Sequence, residues 1–190
     1  MAYIRNNNMT SMFVFNLIDK YYPEDNKLKR IFLSHACSVE KKALQIAAAH
    51  PELNVDEKFL SEAALLHDIG IFLTHAPAIS CLGKAPYICH GYLGAELMRK
   101  EGFPRHALVC ERHTGAGLSL KEIIERQLPV PHREMVPQSM EEQIICFADK
   151  FFSKTHLDEK KEIKKVQENI AKHGKEGLER FLQWKKLFGE

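Results

Sequence analysis

Apolar residues recur along most of the chain at the three- and four-residue spacing of amphipathic helices. Helix-starting residues and Gly or Pro near the ends of these runs bound them. The predicted helices cover residues 10 or 11 to 21, 26–49, 56–69, 88–102, 103–113, 139–154 and, in the segment 158–188, the two sides of Gly174. No stretch sustains the alternation of period two that is typical of half-buried strands. The pattern therefore predicts an all-α fold, a helical bundle with short connecting loops.

Two segments interrupt the helical pattern. Residues 71–87 and 127–138 are rich in Pro or Gly and are expected to be loops. Directly after the second segment, Ser139 and Glu142 have the spacing of a capping box, which marks the start of a helix. We expect one domain over residues 1–190, because the chain shows no internal repeat, low-complexity linker or change of composition.

Ionisable residues stand at positions where the helical pattern expects apolar ones. Burying one such group without a partner costs several kcal/mol, so a buried His or Asp is paired, neutralised or bound to a metal. One buried histidine is most often a satisfied core residue, but a set converging from separate helices favours a metal site. The set comprises His35, His67 with the adjacent Asp68, His90, His113 and Asp149.

The order of these residues resembles the H…HD…D signature of the HD-domain superfamily, which consists of metal-dependent phosphohydrolases with an all-helical fold. The stretch LLHDIG around His67 and Asp68 is similar to the HDIG variant of that signature. The resemblance extends over about residues 26–154, and helix 10–21 and helices 158–188 are expected to pack on that core. Stand-alone small HDIG hydrolases are the most similar group.

The resemblance implies a ligand for one ion from each of His35, His67, Asp68 and Asp149. Asp68 would be the catalytic residue and would bridge to a second divalent transition-metal ion. Imidazole and carboxylate ligands suit iron or manganese, and cobalt, nickel, zinc and magnesium are compatible. Hydroxide held between two cations is a strong nucleophile toward phosphorus.

The second ion in this interpretation is held by His90 and His113, as in the members of the superfamily that bind two metals. HD-GYP phosphodiesterases, which cleave cyclic dinucleotides, are one such group. Their GYP tripeptide is absent here, because TGAGLS follows His113. This departure argues against a cyclic dinucleotide as the substrate.

Three further residues are candidates for binding the substrate. Lys150 directly follows Asp149 and would neutralise phosphate oxygens. Thr114 begins a Gly-rich segment that could offer N–H groups to a phosphate, and His75 follows the HD pair and could protonate a leaving group. Each also has an ordinary structural interpretation: a solvated lysine, a helix C-cap and a surface histidine.

Three functions remain open on the sequence alone. The leading one is a metal-dependent phosphohydrolase that cleaves an ester or anhydride of a nucleotide or another small phosphorylated metabolite. The alternative is a mixed-valent di-iron oxygenase, such as myo-inositol oxygenase, because the same fold and the same six ligands resemble that class too. A non-catalytic nucleotide-binding module is the third, although it does not explain a complete ligand set.

Composition adds limits on partners and location. The net charge is +2, with Lys and Arg interspersed among acids, so neither a nucleic acid polymer nor a membrane is expected as a partner. The five cysteines form no C-x-x-C pair, and the first residues carry Asn where a signal peptide is apolar. A cytoplasmic protein with reduced thiols is expected. A homo-oligomer is compatible with the sequence but cannot be derived from it.

Overall fold

A computed structural model describes residues 11–157 and 159–189. Its helices are α1 Met12–Tyr21, α2 Lys27–Ala49, α3 Glu57–Leu66, α4 His90–Lys100, α5 Pro104–Arg112, α6 Leu120–Glu125, α7 Met140–Asp149, α8 Ile163–Ala171 and α9 Lys175–Leu187. The expected all-α fold is confirmed. Thr10 and Asp158, the first residues of the predicted segments 10–21 and 158–188, lie outside the described residues. Within the described part, no helix is long and apolar enough to span a bilayer.

Side-chain caps explain where several helices begin. The Asn26 carboxamide accepts a hydrogen bond from the Lys29 backbone N–H at 3.0 Å, which starts α2. Ser139 caps α7 in the same way, through the Glu142 N–H at 3.2 Å. The expected capping box is only half formed there, because the Glu142 carboxylate accepts instead from the Gln138 N–H at 2.8 Å. Satisfying free N–H groups of a first turn stabilises a helix by about 1 kcal/mol.

A reciprocal capping box occurs at a helix that the sequence pattern did not predict. Ser119 and Glu122 each bond to the backbone N–H of the other and so start α6. With only six residues, α6 is too short to display a helical period, which is why the apolar pattern missed it.

The segment expected as a loop over residues 71–87 has structure of its own. It contains three short strands, β1 Thr74–Ala76, β2 Cys81–Leu82 and β3 Ala85–Pro86, together with single turns of 3-10 helix. β1 lies in the centre, antiparallel to β2 and parallel to β3. Strands of two or three residues are too short to give a detectable alternation, so the loop prediction was wrong in this respect.

The apolar faces of the helices form two main buried clusters. One joins the C-terminal half of α2 to α3, α7, α8 and α9, and Phe147, Phe151 and Phe181 lie at its centre. The other joins α1 and the N-terminal half of α2 to α4 and α5. Both clusters include residues of α2 and α3, so these two helices are held from both sides.

Gly70 brings the end of the α3 segment into direct contact with α4. Its φ of −86° is ordinary for any residue, so the chain does not need glycine there for its backbone conformation. A Cβ on Gly70 would instead lie 2.4 Å from both the Gly94 nitrogen and the His90 carbonyl oxygen. Glycine is therefore needed because the two backbones touch. This contact holds the residues just before Gly70 against the start of α4.

We expect Gly70→Ala to destabilise the protein by about 2–3 kcal/mol, because the added methyl group forces two packed backbones apart. The measurement is the free energy of unfolding in urea, followed by circular dichroism. Gly177→Ala in α9 is the matched control, since its Cβ would meet Ala116 and Ile170 at ordinary distances of 3.7 and 3.8 Å. It should be neutral or stabilising, because Ala favours helix. Equal effects of the two substitutions would contradict this account of Gly70.

Candidate metal centre

The six predicted ligand residues lie together in the interior. They come from five places in the fold: the middle of α2, the turn after α3, the first residue of α4, the residue after α5 and the last residue of α7. All are between 0% and 9% exposed. The six are His35, His67, Asp68, His90, His113 and Asp149.

Four of these residues form the first group of donor atoms. His35 Nε2 lies 2.9 Å from Asp149 Oδ1 and 3.2 Å from Asp68 Oδ2. His67 Nε2 lies 3.2 Å from Asp68 Oδ2 and 3.7 Å from Asp149 Oδ1. Within the described part of the chain, no hydrogen-bond partner with correct geometry reaches His35 Nε2, His67 Nε2 or Asp68 Oδ2.

The second group shares Asp68 through its other oxygen. His90 Nε2 and His113 Nε2 each lie 3.4 Å from Asp68 Oδ1, and the two nitrogens are 3.0 Å apart. An ion with ligands at about 2.1 Å separates neighbouring donors by about 3.0 Å in octahedral and about 3.4 Å in tetrahedral geometry. Six of the seven separations lie close to these values, and that between His67 Nε2 and Asp149 Oδ1 is longer, at 3.7 Å.

Backbone carbonyls orient three of the four imidazoles in the same way. In His67, His90 and His113, Nδ1 contacts the carbonyl oxygen three residues earlier in the chain, at 2.6, 2.7 and 2.7 Å. A carbonyl can only accept, so each Nδ1 carries the proton. In the neutral ring Nε2 is then bare, and its lone pair points into the cluster. Outer hydrogen bonds of this kind orient metal-ligating histidines.

The contact between His90 and His113 tests whether a cation fits. With both Nδ1 atoms protonated, two neutral rings direct their Nε2 lone pairs at each other across 3.0 Å. Burial lowers the pKa of His90 to about 3 and also lowers the pKa of His113, so a shared proton does not resolve the repulsion at neutral pH. A cation between the two nitrogens and Asp68 does. The donor set therefore fits a divalent ion.

The ionisation of the carboxylates in the first donor group also favours a cation there. Burial alone would raise the pKa of Asp68, but Lys154 and the neighbouring histidines hold it well below its ordinary value. Burial likewise opposes protonation of His67, yet Asp68 and Asp149 raise its pKa to about 9. The two carboxylates are thus ionised and attract cationic groups.

Two lysines approach the carboxylates from the solvent side. Lys150 Nζ lies 2.6 Å from Asp149 Oδ2 and donates to the His113 carbonyl at 3.0 Å. Lys154 Nζ lies 2.6 Å from Asp68 Oδ2. Despite burial, these carboxylates raise the pKa of both lysines. Sequence reasoning named Lys150 but missed Lys154. The helix predicted over 139–154 ends at Asp149 in the structure, and the chain after it brings Lys154 to Asp68, a contact between elements that helical spacing does not predict.

A cavity of about 320 Å³ opens onto the cluster. Its wall includes His90, His113, Asp149 and both lysines, together with Tyr87, whose ring stacks on that of His90 with centroids 4.7 Å apart. Tyr87 was not predicted, since it lies in a 3-10 turn inside the expected loop. The cavity is the access route to the candidate metal centre.

The other two predicted substrate-binding residues lie in different places. Thr114 lines the cavity, and its hydroxyl packs against Gly91 at the start of α4. His75 is exposed in β1 and is not among the residues that line the cavity. The structure therefore brings Thr114, but not His75, to the mouth of the cluster.

Comparison with known families agrees with the arrangement of these residues. The sequence model of the HD domain matches residues 32–154, which contain all six candidate ligands. The chain belongs to the HD domain family. The match coincides with the extent expected from the sequence, whereas the finer HDIG grouping stays a prediction.

Among the relatives of this HD domain protein, one is uncharacterized and two are named as tRNA methyltransferases. It is 33% identical over 145 residues to an uncharacterized protein of Methanocaldococcus jannaschii, with 74% of this chain and 78% of the relative covered. It is 31% and 30% identical to the tRNA (cytidine(56)-2′-O)-methyltransferases of Thermoplasma volcanium and Picrophilus torridus. There it spans 85% and 81% of its own length but less than half, 41% and 43%, of the relatives. No solved structure gives a significant match.

We predict about two transition-metal ions per chain in the purified HD domain protein, because two donor groups share Asp68. His90→Gln and His113→Gln should each reduce that content to about one, since each removes a nitrogen from the smaller group. Elemental analysis of the dialysed protein measures the ratio. The matched control is His75→Gln, an exposed histidine whose loss should leave the metal content unchanged. An unaltered metal content in both His90 and His113 variants would contradict the second site.

Chelation should also lower the thermal stability of the protein, because an ion that binds only the folded chain stabilises it. We expect the melting temperature to fall after treatment with EDTA and to recover when Mn²⁺ is added back. Wild-type protein with no change in melting temperature under either treatment would contradict metal binding by the folded cluster.

Proposed function

We propose that the protein is a metal-dependent phosphohydrolase that cleaves a phosphate ester or phosphoanhydride of a nucleotide or another small phosphorylated metabolite. The observation that carries the proposal is the shared carboxylate of Asp68, which faces two pairs of imidazoles in a buried cluster beside a lysine-lined cavity. We propose all six residues named above as the ligands, and His90 and His113 as those of a second ion.

The charge of this site favours an anionic substrate. Asp68 and Asp149 contribute two negative charges, and the ammonium groups of Lys150 and Lys154 already balance them. Any divalent cation therefore leaves the site with excess positive charge in a poorly solvated place. A phosphate group offsets that charge, which is why phosphate chemistry is favoured over the chemistry of an uncharged substrate.

Divalent ions in such a site activate water at neutral pH and polarise a phosphoryl group. The remaining steps fall to this chain's own residues. Lys150 and Lys154 line the cavity and would contact phosphate oxygens once their carboxylates bind metal. Fixed positive charge stabilises negative charge that develops during phosphoryl transfer. Thr114, which also lines the cavity, would donate a hydrogen bond to the phosphate group. His75 retains only its sequence-based assignment.

The di-iron oxygenase alternative uses the same six residues, so the ligand set does not separate it from hydrolysis. The two lysines at the cavity support hydrolysis, because their charges match a phosphate dianion. An oxygenase would consume oxygen with its substrate and would give a half-integer-spin di-iron signal after partial reduction. Hydrolysis requires neither.

The methyltransferase names of two relatives are not assigned to this chain. The matched segment makes up less than half of each of those proteins. The methyltransferase names describe those whole proteins. A small phosphorylated substrate, rather than a nucleic acid polymer, remains the proposed partner.

We expect the Mn²⁺- or Fe²⁺-loaded protein to release phosphate or a phosphomonoester from at least one member of a panel of nucleotides, dinucleoside polyphosphates and sugar phosphates. Asp68→Asn should lower kcat/KM on the order of 10²- to 10³-fold, because it removes the shared charge. Lys150→Met should lower it on the order of 10²-fold. The measurement is phosphate release at varied substrate concentration.

Lys164→Met is the matched control for these variants, since Lys164 is an exposed lysine of α8 that does not line the cavity at the metal cluster. Melting temperatures recorded in parallel separate a loss of chemistry from a loss of folding. Hydrolysis that persists undiminished in Asp68→Asn, or a metal-loaded protein that cleaves no phosphate compound, would contradict the proposal.

A further inference from the structure

The cavity at the metal cluster continues into a second pocket that the C-terminal helices build. This pocket has a volume of about 230 Å³. Residues that it shares with the first cavity include Arg126, Asp149, Lys150, Lys154 and His173. Much of its far wall comes from residues that follow the segment matched by the HD domain. These residues are Lys161, Val166, Asn169, Ile170, His173 and Gly177.

The pocket has an apolar floor beneath a positive rim. Val166 and Ile170 of α8 are buried beside Ala116 and form the floor. Arg126, from the end of α6, forms part of the rim, and its Nη1 donates to the His173 carbonyl at 2.9 Å. That bond occupies one of the five N–H groups of the guanidinium, so others remain for a ligand.

Lys161 is the most informative residue of this rim. It is half-buried, and its ammonium contacts only the Phe152 carbonyl, at 3.4 Å, among groups of the described chain. No carboxylate within residues 11–157 and 159–189 pairs with it, unlike Lys150 and Lys154. Burial lowers the pKa of Lys161, and the positive charges of Lys150 and Lys154 lower it further against the opposing effect of Asp149.

The acidic residues that line the pocket do not neutralise this charge. Glu122 accepts hydrogen bonds from Arg180 at 3.2 Å and from the Ser119 N–H at 2.9 Å. Asp149 is shared between Lys150 and His35. Lys161 and Arg126 therefore leave excess positive charge beside the candidate reaction centre, in a place that a small anion can reach.

We propose that this pocket binds a second phosphate group of the substrate, while the first phosphate lies at the metal cluster. The inference rests on the proposed function and narrows its substrate class to compounds that carry at least two phosphates. An ammonium and a guanidinium together match the charge and the several acceptor oxygens of a phosphate. The C-terminal helices then act as a specificity element added to the catalytic core.

Calorimetric titration of the Mn²⁺-loaded full chain tests the pocket without turnover. The two probes are orthophosphate and bismethylene triphosphate, in which CH₂ groups replace both bridging oxygens so that it is not hydrolysed. Lys161→Gln and Arg126→Gln should each weaken binding of bismethylene triphosphate about 10-fold, the loss expected for one charge-assisted hydrogen bond. Each should change orthophosphate binding less than about 2-fold, because that anion is held at the metal cluster.

Two controls accompany these variants. Lys161→Arg should restore binding of bismethylene triphosphate, because it retains the charge. Lys164→Gln removes an exposed charge of α8, three residues after Lys161 and outside the pocket, and should bind both probes as the wild type does. Equal weakening of both probes, or no weakening of either by Lys161→Gln and Arg126→Gln, would overturn the second-phosphate site.

The titration tests the anion pocket and the phosphate-release panel tests the hydrolase, so the two proposals can be rejected independently. A selective loss in the titration with no hydrolysis of any phosphate compound would retain the anion pocket and reject the hydrolase. Hydrolysis that depends on Asp68, together with an unselective titration, would retain the hydrolase and reject the pocket.

Discussion

The convergence of bare imidazole nitrogens on two buried carboxylates is the constraint on which the rest of this structure depends. Three rings donate Nδ1–H to the carbonyl three residues earlier, and in the neutral ring this leaves Nε2 able only to accept. Two of these nitrogens stand 3.0 Å apart. Such an arrangement is unfavourable unless positive charge lies between the groups, because lone pairs and carboxylates repel one another where water cannot screen them. The surrounding helices must therefore supply packing energy to hold it.

Packing around the cluster supplies that energy through close backbone contact and two apolar cores. Gly70 lets the turn after α3 touch α4, so that Asp68 and His90 meet across the contact of two elements. α2 and α3 belong to both cores and cannot shift without disturbing either one. Protein interiors are close-packed, so small displacements are resisted. The donor atoms are in this way held at separations suited to a metal ion before one binds.

Lysines determine the charge of the cavity beside this centre. Lys150 and Lys154 balance Asp149 and Asp68, and a bound cation would release their charges toward the cavity. Farther out, Lys161 and Arg126 have no carboxylate partner in the described part of the chain. Positive charge thus increases from the core outward along one cavity, which would attract and orient a compound with several phosphates. The core is proposed to supply the chemistry, and the C-terminal helices are proposed to supply the selection.

The sequence by itself determined the helical class of the fold and the identity of the candidate ligands. Helical periodicity is a local property, and His35, His67 and Asp149 each interrupted an apolar stripe in a way that one sequence shows. The pattern could not find α6 or the strands of residues 74–86, because elements of two to six residues are shorter than the stretch of sequence over which a period can be recognised. Nor did it explain Gly70, whose neighbour Gly94 is 24 residues away in the chain.

Only the tertiary structure decided which lysines join the centre and what lies beyond it. Lys154 reaches Asp68 because the chain turns after α7, and Lys161 reaches the same cavity from a later segment. His75 follows the HD pair closely in sequence, yet β1 holds it on the surface. Sequence spacing predicts contacts within one helix, where the geometry is regular. Contacts between elements depend on how their faces pack, and that packing is set by the whole core at once.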